Sequence, residues 1–444
     1  MGIENWFVGE TMKKQLIIIG NGLATMQLLK ELDHQGDYQV TVLSAENVPH
    51  YNRIMLSSLL AQETDLQSIT PCDDAWYQER NVKVLLNHRV THIDSASHSL
   101  SCENGAQFHY DKLVFATGSR AFIPSMPGTQ MPDVLEGVMG FRKLIDVDFM
   151  QEVTSRYKKA VVIGAGLLGI EAAVGLVKQG MDVTLLHRRD VLMNRQIDSK
   201  ASELLIEELQ GRGIKIATGH GPIALHGTNL GGDKLDGSKL DKSQAGASET
   251  SKVSAVELDN GDKLQADLVI FATGIVPCTP LAQTSGLVVE KGICVDAQLQ
   301  TSQDDIYALG ECCEFEGNTY GLVAPIWNQA RVLAQQLTRQ PDDELPVYFE
   351  ESFATKLKVS GIDVHSMGII NAEDTELDCE TLEFNDHQRS IYKKILISDH
   401  KVVGAVLYGD VADSQWYFEL LQQERNIKDI RQELIFGQAF CDMS

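Results

Sequence analysis

Two glycine fingerprints constrain this chain more than any other feature. Gly20-Asn21-Gly22-Leu23-Ala24-Thr25 follows the apolar run Leu16-Ile17-Ile18-Ile19, and Gly164-Ala165-Gly166-Leu167-Leu168-Gly169 follows Ala160-Val161-Val162-Ile163. Each stands where a buried parallel strand turns into a helix. A dinucleotide pyrophosphate needs that geometry: one glycine makes the tight turn, the next lets backbone approach phosphate, and the helix N-terminus offers free N–H groups. One such motif is weak evidence. Two, each behind its own strand, point to two dinucleotides on one α/β chain, and the natural pair is FAD and a nicotinamide.

The flanking pattern supports two βαβ units. Strands are expected at 15–19 and 39–43 around a helix near 22–33. Glu46 follows the second strand, 24 positions after Gly22. An acid at roughly 20 residues' offset binds ribose hydroxyls, and this placement favours that role over a solvated loop. The second unit runs from Ala160 through a helix at 166–179, which carries Glu171, to Val183-Thr184-Leu185-Leu186. It ends in His187-Arg188-Arg189-Asp190 instead of an acid. Arginines there suit a 2′-phosphate, hence NADPH; a basic solvated turn is the equal alternative.

Composition narrows the class. A chain of 444 residues should hold two or three domains, and 43% hydrophobic residues can fill their cores. A net charge of −24 disfavours nucleic acid and anionic membranes. No apolar run approaches a membrane span, and the Leu16–Ile19 run is too short for a signal sequence. A cytoplasmic protein is expected. Residues 1–11 read as an unstructured extension, with Met12 a candidate start. The eight cysteines contain no C-x-x-C, and adjacent Cys312 and Cys313 should face opposite ways on a strand, so no metal site is expected.

From 219 to 252 the chain is rich in Gly, Ser, Lys, Asp and Thr and reads as a mobile loop inserted in the second domain. Leu113–Gly118 and Leu268–Gly274 are near copies 156 residues apart at their glycines, which supports a repeated architecture. From about 346 the pattern changes to strands at Tyr392–Ile397 and Lys401–Tyr408, then a helix at Trp416–Leu421.

These motifs, the two Ala-Thr-Gly turns and Thr301–Cys312 together resemble the FAD-dependent pyridine-nucleotide oxidoreductases. The likeness covers nearly the whole chain from 12 onward. Pro49–Ser57, Ala324–Arg331, Thr355–Val359 and Gly404–Asp410 resemble most the N-terminal flavoprotein portion of NAD(P)H nitrite reductase large subunits, then rubredoxin reductase-like enzymes. The resemblance implies an α/β fold with two Rossmann-like domains and a small C-terminal α+β domain. FAD binding falls to 1–122 and 278–345, NAD(P)H binding to 123–277, and the α+β domain to 346–444.

Carried over by position, Gly20, Gly22, Glu46, Arg53, Gly310 and Glu311 would hold FAD, with Glu311 where the family usually has Asp. Asn21, Leu23, Ala24, Asn52, Val90, Ala116, Thr117, Gly118 and Trp327 complete the candidate set on that side. Trp327 could pack near the flavin, but a core aromatic is the simpler reading. Thr25 replaces the usual sixth-position glycine, so packing there should be looser or shifted. Gly164, Gly166, Leu167, Leu168, Gly169, Glu171, His187, Arg188, Arg189 and Gly274 would serve the nicotinamide nucleotide, with Glu171 at the nicotinamide end.

The family's disulfide reductases carry a cysteine pair in the segment matching Ile54–Ala61, and the peroxidase-type branch a single one; this chain has neither. The resemblance therefore implies an electron-transfer flavoprotein. It would oxidise NADH or NADPH and feed a separate redox protein, a rubredoxin-like carrier or a nitrate/nitrite reductase catalytic subunit. An oxidase forming peroxide and a non-catalytic NAD(P)H sensor are the alternatives. No general base is needed for hydride transfer, so no catalytic residue is assigned. Lys356, Lys358, Lys393 and Lys394 could dock an acidic carrier, although outward-facing strand lysines are the preferred reading. The third domain is a candidate homodimer surface by family likeness.

Overall fold

The computed structural model describes residues 13–32, 38–130, 134–229, 251–350, 355–359 and 361–441. The expected extension at 1–11 and Met12 lie outside these. The chain forms two compact units: Met1–Arg53 with Leu66–Arg120 and Ile275–Glu351, and Ile54–Asp65 with Ala121–Gly274 and Ser352–Ser444.

In the first unit a five-stranded sheet runs in the order Ile306–Ala308, Lys112–Phe115, Lys14–Ile19, Tyr38–Leu43, Val82–Leu85, every pair parallel. Leu16 to Ile19 are all buried, as a strand covered on both faces requires. The helix Leu23–Leu32 starts directly after the glycines. It buries Met26, Leu28, Leu29 and Leu32 at helical spacing and packs against the Ala324–Thr338 helix. Gly20 and Ala116 thus stand together at the carboxyl ends of neighbouring strands, where open parallel sheets bind ligands.

The second unit repeats the plan. Its parallel sheet runs Lys215–Thr218, Asp182–His187, Lys159–Ile163, Leu268–Phe271, Val138–Gly140. The helix Leu167–Lys178 follows the second fingerprint. An antiparallel meander, Pro222–Asn229, Ser251–Leu258 and Lys263–Gln265, stands beside it. This corrects the expectation of a loop over 219–252: 222–229 and 251–252 are strand, paired through Asn229 and Ser251. Leu225 anchors the first strand among Leu135, Val253 and Val256. Polar composition misled because cross-strand backbone pairing and one buried leucine suffice. The rest of that stretch, 230–250, lies outside the described residues.

A five-stranded antiparallel sheet ends the second unit, in the order Thr355–Val359, Ile362–Gly368, Lys401–Tyr408, Ile391–Ser398, Glu380–Asp386. The helix Ser414–Gln422 covers one face through Trp416, Tyr417 and Leu420. Here both readings of two lysines fail. Lys393 and Lys394 are buried, 5% and 8% exposed, and so are neither a docking patch nor solvent-facing. Adjacent on one strand, they point to opposite faces, and each meets acid there: Lys393 with Asp410 at 2.8 Å, Lys394 with Asp198 at 3.1 Å. The side chains of Lys356 and Lys358 are not among those described. Among the described residues no helix is long and apolar enough to cross a membrane.

Candidate functional site

The first glycine loop is held by its neighbours as much as by its own sequence. Gly20 has φ +110°, and a Cβ there would lie 2.2 Å from the Ala116 carbonyl oxygen. Its N–H donates to Leu43 O at 2.9 Å. Around Gly22, by contrast, a Cβ would meet nothing within 4 Å. Between them, both polar atoms of the Asn21 side chain are buried with no partner at hydrogen-bond geometry among the described residues. Nearby Tyr77 directs its hydroxyl to Met26 Sδ. An open face at Gly22 beside an unsatisfied buried amide is what a loop awaiting a polar ligand presents.

Thr25 does not loosen the turn. It is fully buried, and its Oγ1 donates 2.7 Å to Gly20 O. At the equivalent Gly169 a Cβ would stand 1.8 Å from Gly164 O. The first turn has therefore shifted enough to admit the side chain and gains a hydrogen bond to the loop carbonyl. Thr25→Val should cost about 1 kcal/mol, read as a lower Tm with FAD content retained.

His50, absent from the sequence-derived set, pins the same loop. Its Nδ1 lies 3.1 Å from Asn21 O, and burial pushes its pKa down to about 4. The ring is thus neutral at pH 7, and Nδ1–H donates to the carbonyl. Glu46 meets Arg53 Nη2 at 2.6 Å and accepts from the Tyr51 hydroxyl at 2.9 Å. Arg53 also donates to Tyr51 at 2.8 Å and lies over its ring. Burial alone would lower the Arg53 pKa, but Glu46, Tyr51 and Glu311 raise it, so the guanidinium stays charged. Asn52 N–H donates to Ile69 O.

Gly310 and Glu311 close the cradle. Gly310 has φ +83°, a Cβ there would lie 2.9 Å from Ala24 Cβ, and its N–H donates 2.7 Å to Gln329 Oε1. Ser119 Oγ donates 2.9 Å to Glu311. Thr117 Oγ1 donates to Cys278 O, and Cys278 N–H to Gly118 O, both at 2.9 Å. The Val90 side chain is buried, 8% exposed. Trp327 departs from the simpler reading: at 40% exposed it is no core residue. Cys312 and Cys313 are buried and donate to different carbonyls, Leu309 O and Gly310 O. Burial raises both thiols, Cys312 to about 11, so neither is a ready thiolate.

The second loop follows the same rules. Gly164 has φ +107°, a Cβ there would stand 2.5 Å from Ala272 O, and the position at Gly166 is open. His187 Nδ1 accepts from Ala165 N–H at 3.2 Å, which leaves Nε2–H to face Asn194 Oδ1 at 3.4 Å. Burial holds the His187 pKa below its ordinary value, consistent with this neutral ring. Met193 N–H donates 2.9 Å to Ala165 O. Arg188 and Arg189 are exposed. Leu167 and Leu168 are half-buried, and Gly274, φ +117°, accepts from Phe122 N–H at 2.9 Å.

Glu171 lies on the first turns of the Leu167–Lys178 helix, against the helix Leu56–Leu60. Burial lifts its pKa to about 7, the Ser57 hydroxyl works against that rise, and Glu63 adds to it. Leu60 packs where Gly175 has no side chain, and Gln179 Nε2 donates 2.8 Å to Leu60 O. Ser57 is a second candidate that sequence reasoning passed over.

Residues 14–336 match the family profile Pyridine nucleotide-disulphide oxidoreductase, and 354–425 match Rubredoxin NAD+ reductase C-terminal domain. The chain belongs to the pyridine nucleotide-disulphide oxidoreductases. It is 37% identical over 419 residues to a nitrite reductase [NAD(P)H] of Bacillus subtilis, covering 94% of this chain and 48% of that protein. It is 34% identical to the assimilatory nitrate reductase electron transfer subunit of the same species, covering 96% and 51%. The chain thus spans about half the length of these relatives. A solved putidaredoxin reductase–putidaredoxin complex shares the fold, at 22% identity and TM-score 0.75 over 93% of this chain and 94% of that one. The family's name notwithstanding, residues 54–61 read Ile-Met-Leu-Ser-Ser-Leu-Leu-Ala, with no thiol.

Proposed function

We propose that this oxidoreductase passes electrons from NAD(P)H to a separate redox protein, a rubredoxin-like carrier or a nitrate or nitrite reductase subunit. The observation that carries this reading is Ser57: beside Glu171, where a disulfide reductase would need sulfur, the chain presents a hydroxyl. The C-terminal match to a rubredoxin reductase domain and the likeness to an electron transfer subunit support the same reading.

FAD, when bound, accepts a hydride and releases electrons singly, which joins a two-electron donor to a one-electron acceptor. The chain's own groups bind and orient. Asn21, Gly22, Gly310 and Glu311 would hold the FAD diphosphate and ribityl chain, and Glu46, fixed by Arg53 and Tyr51, the adenosine ribose. Gly166 and the start of the Leu167–Lys178 helix would hold the nucleotide pyrophosphate.

Exposed Arg188 and Arg189, in a chain of net charge −24, support NADPH as donor. Replacing both with alanine should raise KM for NADPH about tenfold, the equivalent of about 1.4 kcal/mol, because solvent at this exposed site screens charge-assisted bonds to well below their buried strength, and leave KM for NADH unchanged. Anaerobic titration with each nucleotide, following flavin absorbance, tests the function. Prompt bleaching followed by reoxidation with an added carrier protein is expected. A flavin that neither nucleotide bleaches overturns the reading, and reoxidation by oxygen as fast as by any carrier replaces it with an oxidase.

A further inference from the structure

Asp198 stands where the strand carrying His187 has run through its loop and the helix Ser199–Gly211 begins. It is 6% exposed. Its Oδ1 caps that helix, accepting from Ala201 N–H at 3.1 Å. Its Oδ2 faces the C-terminal sheet, accepting from the Tyr392 hydroxyl at 2.7 Å and meeting Lys394 Nζ at 3.1 Å. Tyr392 and Lys394 are two apart on one strand and so share a face. Just beyond, Lys200 pairs with Glu383 of the edge strand. The far end of the same loop is bound to the second fingerprint through His187 and Met193, both at Ala165. Arg188 and Arg189 lie between His187 and Met193, and Met193 is tied onward to Asp198, since its carbonyl accepts from Gln196 N–H at 2.7 Å and from Ile197 N–H at 3.0 Å.

We propose that Lys394 and Tyr392 are positioning residues: through Asp198 they fix the 188–197 loop and thereby set the affinity for the nicotinamide nucleotide. The C-terminal sheet would then shape a nucleotide site to which it contributes no contact of its own. The proposal rests on the reading of Gly166, Arg188 and Arg189 as the nucleotide side. A buried carboxylate with three donors has one favourable position; take one donor away and the cap, and the loop ahead of it, gain freedom.

The test is Lys394→Met, Lys394→Arg and Tyr392→Phe in the full FAD-loaded chain, with ferricyanide as acceptor. KM for NADH and NADPH, kcat, FAD content and Tm are measured for each. Lys394→Met should raise nucleotide KM roughly three- to thirtyfold with kcat and FAD content unchanged. Tyr392→Phe should do so less, and Lys394→Arg should recover most of the loss. Wild-type KM in folded Lys394→Met and Tyr392→Phe overturns the proposal. So does a fall in kcat with no change in KM. If Lys394→Met fails to fold, Tyr392→Phe, which loses a single hydroxyl, decides alone. The arginine double variant separates the two failures: a normal KM for NADPH there counts against the phosphate reading, whereas a raised KM there with a normal one in Tyr392→Phe counts against the positioning role.

Discussion

Gly20→Ala should yield a colourless protein. The residue sits at φ +110°, where an L side chain costs about 1–2 kcal/mol from the backbone alone. The larger cost is steric. A Cβ would stand 2.2 Å from Ala116 O and 2.8 Å from its carbon, and this is backbone that cannot rotate aside. Neither strand can retreat, since Ile18, Val114 and Phe115 are wholly buried. Relief must come from moving the loop itself, which displaces Asn21 and Gly22 and unlocks the His50 bond. Gly22→Ala is the informative partner, because its Cβ meets nothing within 4 Å. It should leave the Tm of the FAD-free protein unchanged while weakening FAD, because the methyl would fill the open face. Absorbance near the flavin bands relative to protein absorbance, together with Tm, reads both. A yellow Gly20→Ala of normal stoichiometry would remove the cradle from this loop.

Glu171→Gln should stabilise the protein at alkaline pH and hardly change it at acidic pH. Burial raises the carboxyl from an ordinary 4.5 to about 7. A raised acid binds its proton more tightly folded than unfolded. Its favourable contribution is therefore complete below pH 4.5 and is lost as pH climbs to 7. Above that the native state carries a half-buried carboxylate at a cost of up to about 3 kcal/mol before screening by solvent. Glutamine keeps an acceptor for Ser57 and never ionises. Its Tm should exceed wild type by several degrees at pH 8 and converge with it near pH 5. Parallel Tm curves across that range would show that Glu171 ionises freely.

Local sequence determined the two parallel sheets and the places where their glycine loops fall. Apolar runs such as Leu16–Ile19 and Val161–Ile163, followed at once by Gly-x-Gly, admit few other conformations: the strand must be covered on both faces and the turn must reach positive φ. The same local rules gave Glu46 as a candidate, because it has a fixed offset from its motif, whereas Glu171 was implied by the family resemblance. They failed where the deciding partner is far along the chain. His50 bonds a carbonyl 29 residues away, Gln329 one N–H 19 away, and Lys394 a carboxylate 196 away. Lys393 and Lys394 read as surface charge because lysine is rarely buried unless paired, and the pairing acids, Asp410 and Asp198, cannot be recognised from either sequence neighbourhood. Likewise Thr25 looked like a misfit until Gly20 O appeared as its acceptor. Periodicity and turn chemistry act over a few residues, so sequence alone settled the strands, helices and turns around the two fingerprints but missed the strand Pro222–Asn229, whose pairing partner lies beyond residue 250. Burial of charge and the satisfaction of buried polar groups depend on which distant segments meet, and only the tertiary structure decided those.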